Sequence, residues 1–179
     1  NRRMHNKLLL VDGVLGITGG RNYQDDYYDW GADYNFRDRD LLLAGPVVGD
    51  MEENFEAFWA SPRSVPAEQL GDVARLLHVQ GVPPPPHRPY RKPERVRALL
   101  AAVDDEALVR ARFVDPAMQV QGVQFIADLP VKHWEGRPAE ADAAAEAASS
   151  GLRALIAGAQ DEVLLQTPYL VLSKPAQRL

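Results

Sequence analysis

The chain has 179 residues, of which 46% are hydrophobic and 25% are charged, and its formal net charge is −5. This is the composition of an ordinary globular protein that can bury a core. The acidic balance argues weakly against a nucleic-acid-binding protein, which usually presents a basic surface. The absence of cysteine excludes disulfides and thiolate metal sites. No run of residues approaches the roughly 20 consecutive apolar positions of a membrane-spanning helix.

The first part of the chain predicts a hairpin. Leu8–Val11 is a candidate buried strand, Asp12-Gly13 predicts a tight turn, and Val14–Thr18 predicts a second strand. The pair Gly19-Gly20 ends the hairpin, at a point where the backbone bends or approaches another group closely.

A loop, a third strand and a helix are predicted next. Residues 23–37 lack a clear period and predict a loop with a short helix, and Asp40–Ala44 predicts the strand. Gly45-Pro46 then favours a helix that runs to about Trp59, because Pro suits the first turn. Its apolar stripe is formed by Val48, Met51, Phe55, Phe58 and Trp59, which predicts that these residues face the core.

The remainder of the chain alternates helices, an extended linker and strands, which is typical of an α/β architecture. The predicted elements are a short helix around Ala67–Leu77, a proline-rich extended linker over residues 81–89, a helix near Glu94–Ala102, a strand over Val123–Asp128, a helix over Ala139–Ala157 that is broken or frayed near Ser149–Gly151, and a strand over Glu162–Gln166.

Six residues near the start are spaced as H-x-K-x4-D-x6-G-G-x-N. They are His5, Lys7, Asp12, Gly19, Gly20 and Asn22. A chance match to six fixed positions is on the order of one in tens of millions per start site if residues are equally frequent. A lone histidine on a strand is most often structural and Asp-Gly is ordinary turn chemistry, but the joint spacing favours a catalytic site.

The residue types in this pattern suit phosphoryl chemistry. His5 and Lys7 lie two residues apart, so in an extended chain both side chains project from the same face. A neutral imidazole can attack phosphorus and form a covalent phosphohistidine, while an ammonium group stabilises the charge that develops on the phosphoryl oxygens. Asn22 and the backbone N–H groups near Gly20 would add neutral donors to a bound phosphate. We assign Asp12 to the catalytic set in a supporting role that positions the site.

The charge distribution agrees with an anionic substrate. Residues 1–22 contain the basic side chains of Arg2, Arg3, Lys7 and Arg21 against Asp12 alone. Ordinary charge scatter explains this local excess about equally well.

The six-residue pattern resembles the HKD signature of the phospholipase D superfamily at every defining position. The surrounding residues are similar to bacterial cardiolipin synthases of the phospholipase D type. The segments that carry this resemblance are Asn1–Lys7, Gly19–Asn22 followed by Asp25-Asp26-Tyr27, Phe36–Asp40, Gly45–Val48, Phe58-Trp59, Ala127–Lys132 and Thr167-Pro168-Tyr169.

The resemblance implies a phospholipase D-like α/β fold, with a mixed sheet flanked by helices. Residues 1–62 would form the C-terminal part of a first lobe, residues 63–120 a proline-rich inter-lobe segment, and residues 121–179 the start of a second lobe. Proteins of the family carry a second HKD motif farther downstream, and this chain ends before it. We therefore expect a fragment of a longer protein, nearly inactive until a second half-site is supplied.

The resemblance also implies an enzyme, a phosphatidyltransferase of cardiolipin synthase type. It would transfer a phosphatidyl group through phosphohistidine to a lipid hydroxyl, with phosphatidylglycerol as the expected phospholipid substrate. His5 is assigned as the nucleophile, with general acid as the alternative role. A phospholipase D-type phosphodiesterase that uses water is the alternative function; a nuclease or a catalytically silent scaffold is more distant.

The implied partners are a phospholipid, the membrane surface and the second HKD half-site, without nucleic acid, metal or cofactor. The implied location is the bacterial inner membrane, peripherally or through an anchor outside this chain, and otherwise the cytoplasm.

Two weaker patterns lie in the loop that follows the motif. The six aspartates of residues 23–40 match no calcium-loop spacing and favour a solvated acidic loop, with Asp26 or Asp40 as candidate neighbours of the site. Its aromatic residues leave two interpretations open, contact with a lipid interface or packing beside the site; they are Tyr23, Tyr27, Tyr28 and Trp30.

Overall fold

The structure, a computed structural model, describes residues 4–84, 89–130 and 147–166. The chain divides into two compact units. The first contains the described residues up to Ser64 and those from Gln124 onward, and the second is Val65–Val123.

The first unit begins with the predicted hairpin. Strand β1 is Leu8–Val11 and strand β2 is Leu15–Gly19, and they pair antiparallel with Leu8 opposite Thr18. Asp12 and Gly13 both have positive φ, at 53° and 64°, and the amide of Val14 donates to the carbonyl of Val11 at 3.0 Å. This is the tight turn whose twist matches that of paired strands, and Asp and Gly tolerate its left-handed backbone.

The third strand completes a small sheet. Strand β3 is Asp40–Ala44 and pairs antiparallel with β2, so that the strand order is β1-β2-β3. The α/β class predicted from the sequence is confirmed, but the sheet is antiparallel over the described residues rather than mixed. A short turn joins β1 to β2, and a loop with a single 3-10 turn at Asp25–Tyr27 joins β2 to β3. Neither connection contains the crossover helix that usually links parallel neighbours.

Helix α1, Val47–Trp59, packs against all three strands. It begins just after Pro46, whose fixed φ suits a helix start. Its buried face consists of Val47, Val48, Met51 and Asn54, and Met51 and Val48 have no exposed surface.

The far end of the α1 stripe is less buried than the sequence predicts. Phe55 is 40% exposed and Trp59 is 71% exposed, and their rings stack on each other with centroids 5.9 Å apart. The prediction that these two residues face the core is therefore wrong. Their helical spacing matches a packed face, but the narrow sheet contacts the helix along the line from Val47 to Asn54.

The later part of the first unit corrects three other predictions. Neither Val123–Asp128 nor Glu162–Gln166 forms a strand in the described residues, because no backbone ladder pairs them. Helix α5, Ala147–Gly158, runs through Ser149–Gly151 without the predicted break. A Cβ added at Gly151 would lie 2.6 Å from Cδ1 of Ile126, so this glycine lets α5 approach the Ile126 side chain closely. The predicted start of this helix and the segment Thr167-Pro168-Tyr169 lie outside the described residues.

The second unit is helical. It contains a 3-10 turn at Ala67–Gln69, α2 over Gly71–Gln80, α3 over Pro93–Asp104, and α4 over Glu106–Val109, which continues as a π-helical turn over Arg110–Val114. The helix predicted near residues 94–102 is confirmed as α3. In the described parts of the chain, no helix combines the length and the apolar character needed to cross a membrane.

Candidate active site

A pocket of about 370 Å³ opens beside the ends of β1 and β2. Its lining joins the residues before and at the start of β1, the end of β2 and a segment that is distant in sequence. The lining residues are His5, Asn6, Lys7, Leu8, Thr18, Gly19, Gly20 and Phe125–Asp128. Three of the predicted site residues, His5, Lys7 and Gly20, therefore share one pocket.

His5 and Lys7 meet directly in this pocket. Lys7 Nζ lies 2.9 Å from His5 Nδ1, and it also donates to the backbone carbonyl of His5 at 2.9 Å. The two residues directly precede β1, and the contact shows that both side chains lie on the same side of the chain, as the spacing of two predicts for a strand. His5 itself is exposed, so a ligand can reach its ring from solvent.

The contact fixes the proton arrangement of the neutral ring. An ammonium group has donors and no acceptor, so Nδ1 of His5 accepts from Lys7 and the ring proton lies on Nε2. In this state Lys7 is held within the pocket by two acceptors of the same residue. An anionic ligand would offer the ammonium a stronger, charge-assisted acceptor.

The carboxylates of Asp38 and Asp40 lie directly against Gly20 and Gly19, where they leave little room for a side chain. A Cβ at Gly20 would lie 2.6 Å from Asp38 Oδ2, and one at Gly19 would collide with the Asp40 carboxylate and lie 2.9 Å from the carbonyl of Arg39. The glycine pair therefore lets the loop before β3 pack against the end of β2 at the pocket.

Arg21 fastens this loop from the other side. Its guanidinium donates to the Asp40 carboxylate, to the carbonyl of Tyr27, and at 3.0 Å to the carbonyl of Asp38. It also lies 6.0 Å from the centroid of the Tyr28 ring. The sequence pattern counted Arg21 among the charges for an anionic substrate, but here its donors are used within the fold. Arg2 and Arg3, from the same basic segment, lie outside the described residues.

Asn22 belongs to the same loop rather than to the pocket. Its side-chain amide donates to the hydroxyl of Tyr27 at 3.0 Å, and the Tyr27 ring stacks on Phe36 with centroids 4.5 Å apart. The structure therefore does not bring Asn22 together with His5 and Lys7. Its amide supports the loop that continues from Gly20.

Asp12 lies at the opposite end of the hairpin from the pocket. It occupies the tight turn after β1, is exposed, and has the left-handed φ of 53° that this turn requires. It contributes no lining to the pocket, so any influence on His5 passes through the hairpin.

Asn54 is a site-supporting residue that the sequence pattern did not single out. Its Oδ1 accepts from Asn6 Nδ2 at 3.0 Å, and its Nδ2 donates to the backbone carbonyl of Asp128 at 3.1 Å. Asn6 and Asp128 both line the pocket. The available signal was position: Asn54 follows Met51 by three residues, which places it on the buried face of α1.

The loop aromatics differ in how far they are packed. Tyr27 packs on Phe36, whereas Tyr23 is 88% exposed. Tyr23, Tyr28 and Trp30, with Gln24 and Asp25, line a second open pocket of about 360 Å³. Among the described residues, no group of three or more His, Cys, Asp or Glu side chains is arranged to hold a metal ion.

The pocket brings together an accessible imidazole, an adjacent ammonium group and a glycine-lined backbone, which are groups that can act in phosphoryl transfer. Comparison with known proteins gives relatives over part of the chain. It is 44% identical over 73 residues to cardiolipin synthase C of Escherichia coli K12 and 39% identical over 76 residues to cardiolipin synthase A of Pseudomonas fluorescens Pf-5. It is also 45% identical over 75 residues to an uncharacterized protein of Helicobacter pylori 26695.

These matches cover 41% or 42% of this chain and 15% or 16% of each relative. They confirm the predicted likeness to cardiolipin synthases of the phospholipase D type. No family model matches the chain, and no solved structure gives a significant match.

Proposed function

We propose that this chain supplies one phosphohistidine half-site of a cardiolipin synthase-type phosphatidyltransferase. The observation that carries the proposal is the convergence of His5 and Lys7, 2.9 Å apart, in a pocket bounded by Gly19 and Gly20. The partial identity to proteins named cardiolipin synthases supports a phospholipid substrate and a transferase reaction.

The first step begins when a phosphodiester enters the pocket and draws the Lys7 ammonium from the His5 ring to a non-bridging oxygen. Release of Nδ1 lets that atom take the ring proton, which leaves a lone pair on Nε2 for attack. The Nε2–P bond forms as the P–O bond to glycerol breaks, and the departing alkoxide takes a proton from a general acid. In the proposal, this acid is the histidine of the second HKD half-site, outside this chain.

The second step transfers the phosphatidyl group. The hydroxyl of another phosphatidylglycerol attacks phosphorus, the new P–O bond forms and the Nε2–P bond breaks. The hydroxyl proton goes to the histidine of the second half-site, which lost its proton in the first step and now acts as the general base. Two molecules of phosphatidylglycerol thereby give one cardiolipin and one glycerol. Lys7 and the Gly20 amide would stabilise the phosphoryl oxygens in both steps, which is the larger part of what the chain contributes.

In this proposal, the chain forms part of a two-lobe phospholipase D-like fold. Residues 1–62 would belong to the first lobe, residues 63–120 to the inter-lobe segment, and residues 121–179 to the second lobe. Because the proposed substrate is a phospholipid, the enzyme would act at a membrane surface, which in a bacterium would be the inner membrane. The exposed aromatic ring of Tyr23, beside the site loop, suits contact with such an interface.

Hydrolysis is the second candidate, supported by the exposure of His5 to solvent. The covalent step would be the same, and water would replace the lipid hydroxyl in the second step. The products then separate the two functions, because hydrolysis of phosphatidylglycerol gives phosphatidic acid and glycerol.

The test is an assay of the full-length enzyme on vesicles that contain phosphatidylglycerol. We expect cardiolipin and glycerol as products, and we expect His5→Ala to lower the rate by at least about 10³-fold because it removes the nucleophile. His78→Ala is the matched control, since His78 lies on α2 in the other unit. Phosphatidic acid without cardiolipin would select the hydrolase, and undiminished turnover in His5→Ala would refute the phosphohistidine mechanism.

A further inference from the structure

Asn54 is a buried polar residue in the middle of α1. It is 7% exposed and shares the inner face of the helix with Val48 and Met51, whose side chains have no exposed surface. Burial of an amide without hydrogen bonds is costly, so a side chain at this position is stable when both its oxygen and its nitrogen have partners. Both have partners here, as the contacts to Asn6 and Asp128 show.

The two partners belong to two segments that line the same pocket and are distant in sequence. Asn6 lies between His5 and Lys7 and is 48 residues from Asn54 along the chain, whereas Asp128 is 74 residues away in the other direction. Phe125–Asp128 has no strand ladder to hold it, and it lines the same pocket as the motif residues His5 and Lys7. An amide can donate and accept at once, so Asn54 is chemically suited to connect these two segments.

We infer that Asn54 is a positioning residue for His5 and Lys7. It acts on these two residues through its hydrogen bond to Asn6, and it holds the Phe125–Asp128 segment through its hydrogen bond to Asp128. This inference rests on the proposed function, since it names a support for that same site. Asn6 lies between His5 and Lys7, so its anchoring on α1 restrains the backbone that carries both of these residues. A displacement of about 1 Å in such a site can cost on the order of 10²-fold in rate.

The experiment measures kcat and KM of the full-length enzyme with phosphatidylglycerol vesicles for Asn54→Ala, Asn6→Ala and the double variant. We expect Asn54→Ala to lower kcat by about 10- to 100-fold with a smaller change in KM, because the chemical step depends on alignment. The double variant should be no slower than Asn54→Ala, since both changes break one hydrogen bond. Glu53→Ala, at an exposed neighbouring position of α1, is the control and should leave kcat unchanged.

A second readout does not depend on turnover. The ¹⁵N resonances of the His5 ring should move in Asn54→Ala and Asn6→Ala and stay in place in Glu53→Ala. If Asn54→Ala does not fold, Asn6→Ala removes the same contact from its partly exposed end and provides both measurements.

The outcomes separate this inference from the proposed function. Wild-type kcat and unmoved His5 resonances in a folded variant that lacks the Asn6–Asn54 contact would overturn the positioning role, even if His5→Ala is inactive. Full activity of His5→Ala would overturn the proposed function, and moved His5 resonances would then still support the structural link from Asn54 to the ring.

Discussion

The contact between Met51 and Gly16 gives a quantitative test of how α1 packs on the sheet. Met51 is completely buried, and a Cβ built on Gly16 would lie 2.7 Å from both its Sδ and its Cε. The thioether thus fills the space above the glycine in β2. The sizes of Met51 and Gly16 are therefore complementary.

Shortening Met51 to Ala removes three heavy atoms from this contact. At about 0.8 kcal/mol per buried methylene-sized group, the transfer free energy lost is about 2.4 kcal/mol. A cavity that does not collapse would raise the loss in the free energy of unfolding toward about 5 kcal/mol. Gly16→Ala should also destabilise, by about 1–3 kcal/mol, because its new methyl group overlaps the thioether.

The double variant tests whether the two side chains share one space. The alanine methyl at residue 16 would occupy part of the volume that Met51→Ala vacates, so the double variant should be more stable than the sum of the single effects by about 1–3 kcal/mol. Urea unfolding monitored by circular dichroism provides the free energies, with unchanged m-values as the check on two-state behaviour. Val14→Ala, at a position 61% exposed, is the control and should change stability by less than about 0.5 kcal/mol. Additive single effects would refute the packing described here.

Two further predictions concern the site loop. Arg21→Lys should lower the free energy of unfolding by about 1–3 kcal/mol, because an ammonium group cannot reproduce the guanidinium fork that reaches Asp40 and two carbonyls. Chemical denaturation measures this free energy, with Arg39→Lys at an exposed position as the control. Equal stabilities of the two variants would contradict the prediction. Gly19→Ala should lower the turnover of the full-length enzyme by at least about tenfold, because its methyl group overlaps the backbone carbonyl of Arg39 and must displace the end of β2 beside the pocket. Gly49→Ala is the matched control, since a Cβ there meets nothing within 4 Å, and equal turnover of the two variants would argue against a close fit at Gly19.

The hairpin and the start of α1 were predictable because their determinants are local. Asp12-Gly13 specifies the turn within two residues, and Pro46 marks the helix start without reference to the rest of the chain. The two strands predicted over Val123–Asp128 and Glu162–Gln166 failed for the opposite reason. An apolar run predicts burial, but a strand also needs a partner, and partners are set by tertiary structure.

The roles of Arg21 and Asn54 could not be inferred from residue type. A basic residue in a motif suggests a ligand for an anion, yet Arg21 has three acceptors in its own loop. An asparagine in mid-helix suggests a solvated face, yet Asn54 is buried by partners 48 and 74 residues away. In both cases the deciding contacts are with backbone carbonyls or polar side chains that the local pattern does not locate.

The hairpin geometry explains why motif residues that lie in different parts of the fold still have a fixed spacing in the sequence. The register places Leu8 opposite Thr18, so Lys7 lies at the level of Gly19, one step beyond the end of the ladder. A change in the length of the Asp12-Gly13 turn would shift that register and would turn β2 side chains to the other face. Asp12 can therefore influence the pocket without touching it, because the turn it occupies decides which backbone lies beside His5 and Lys7.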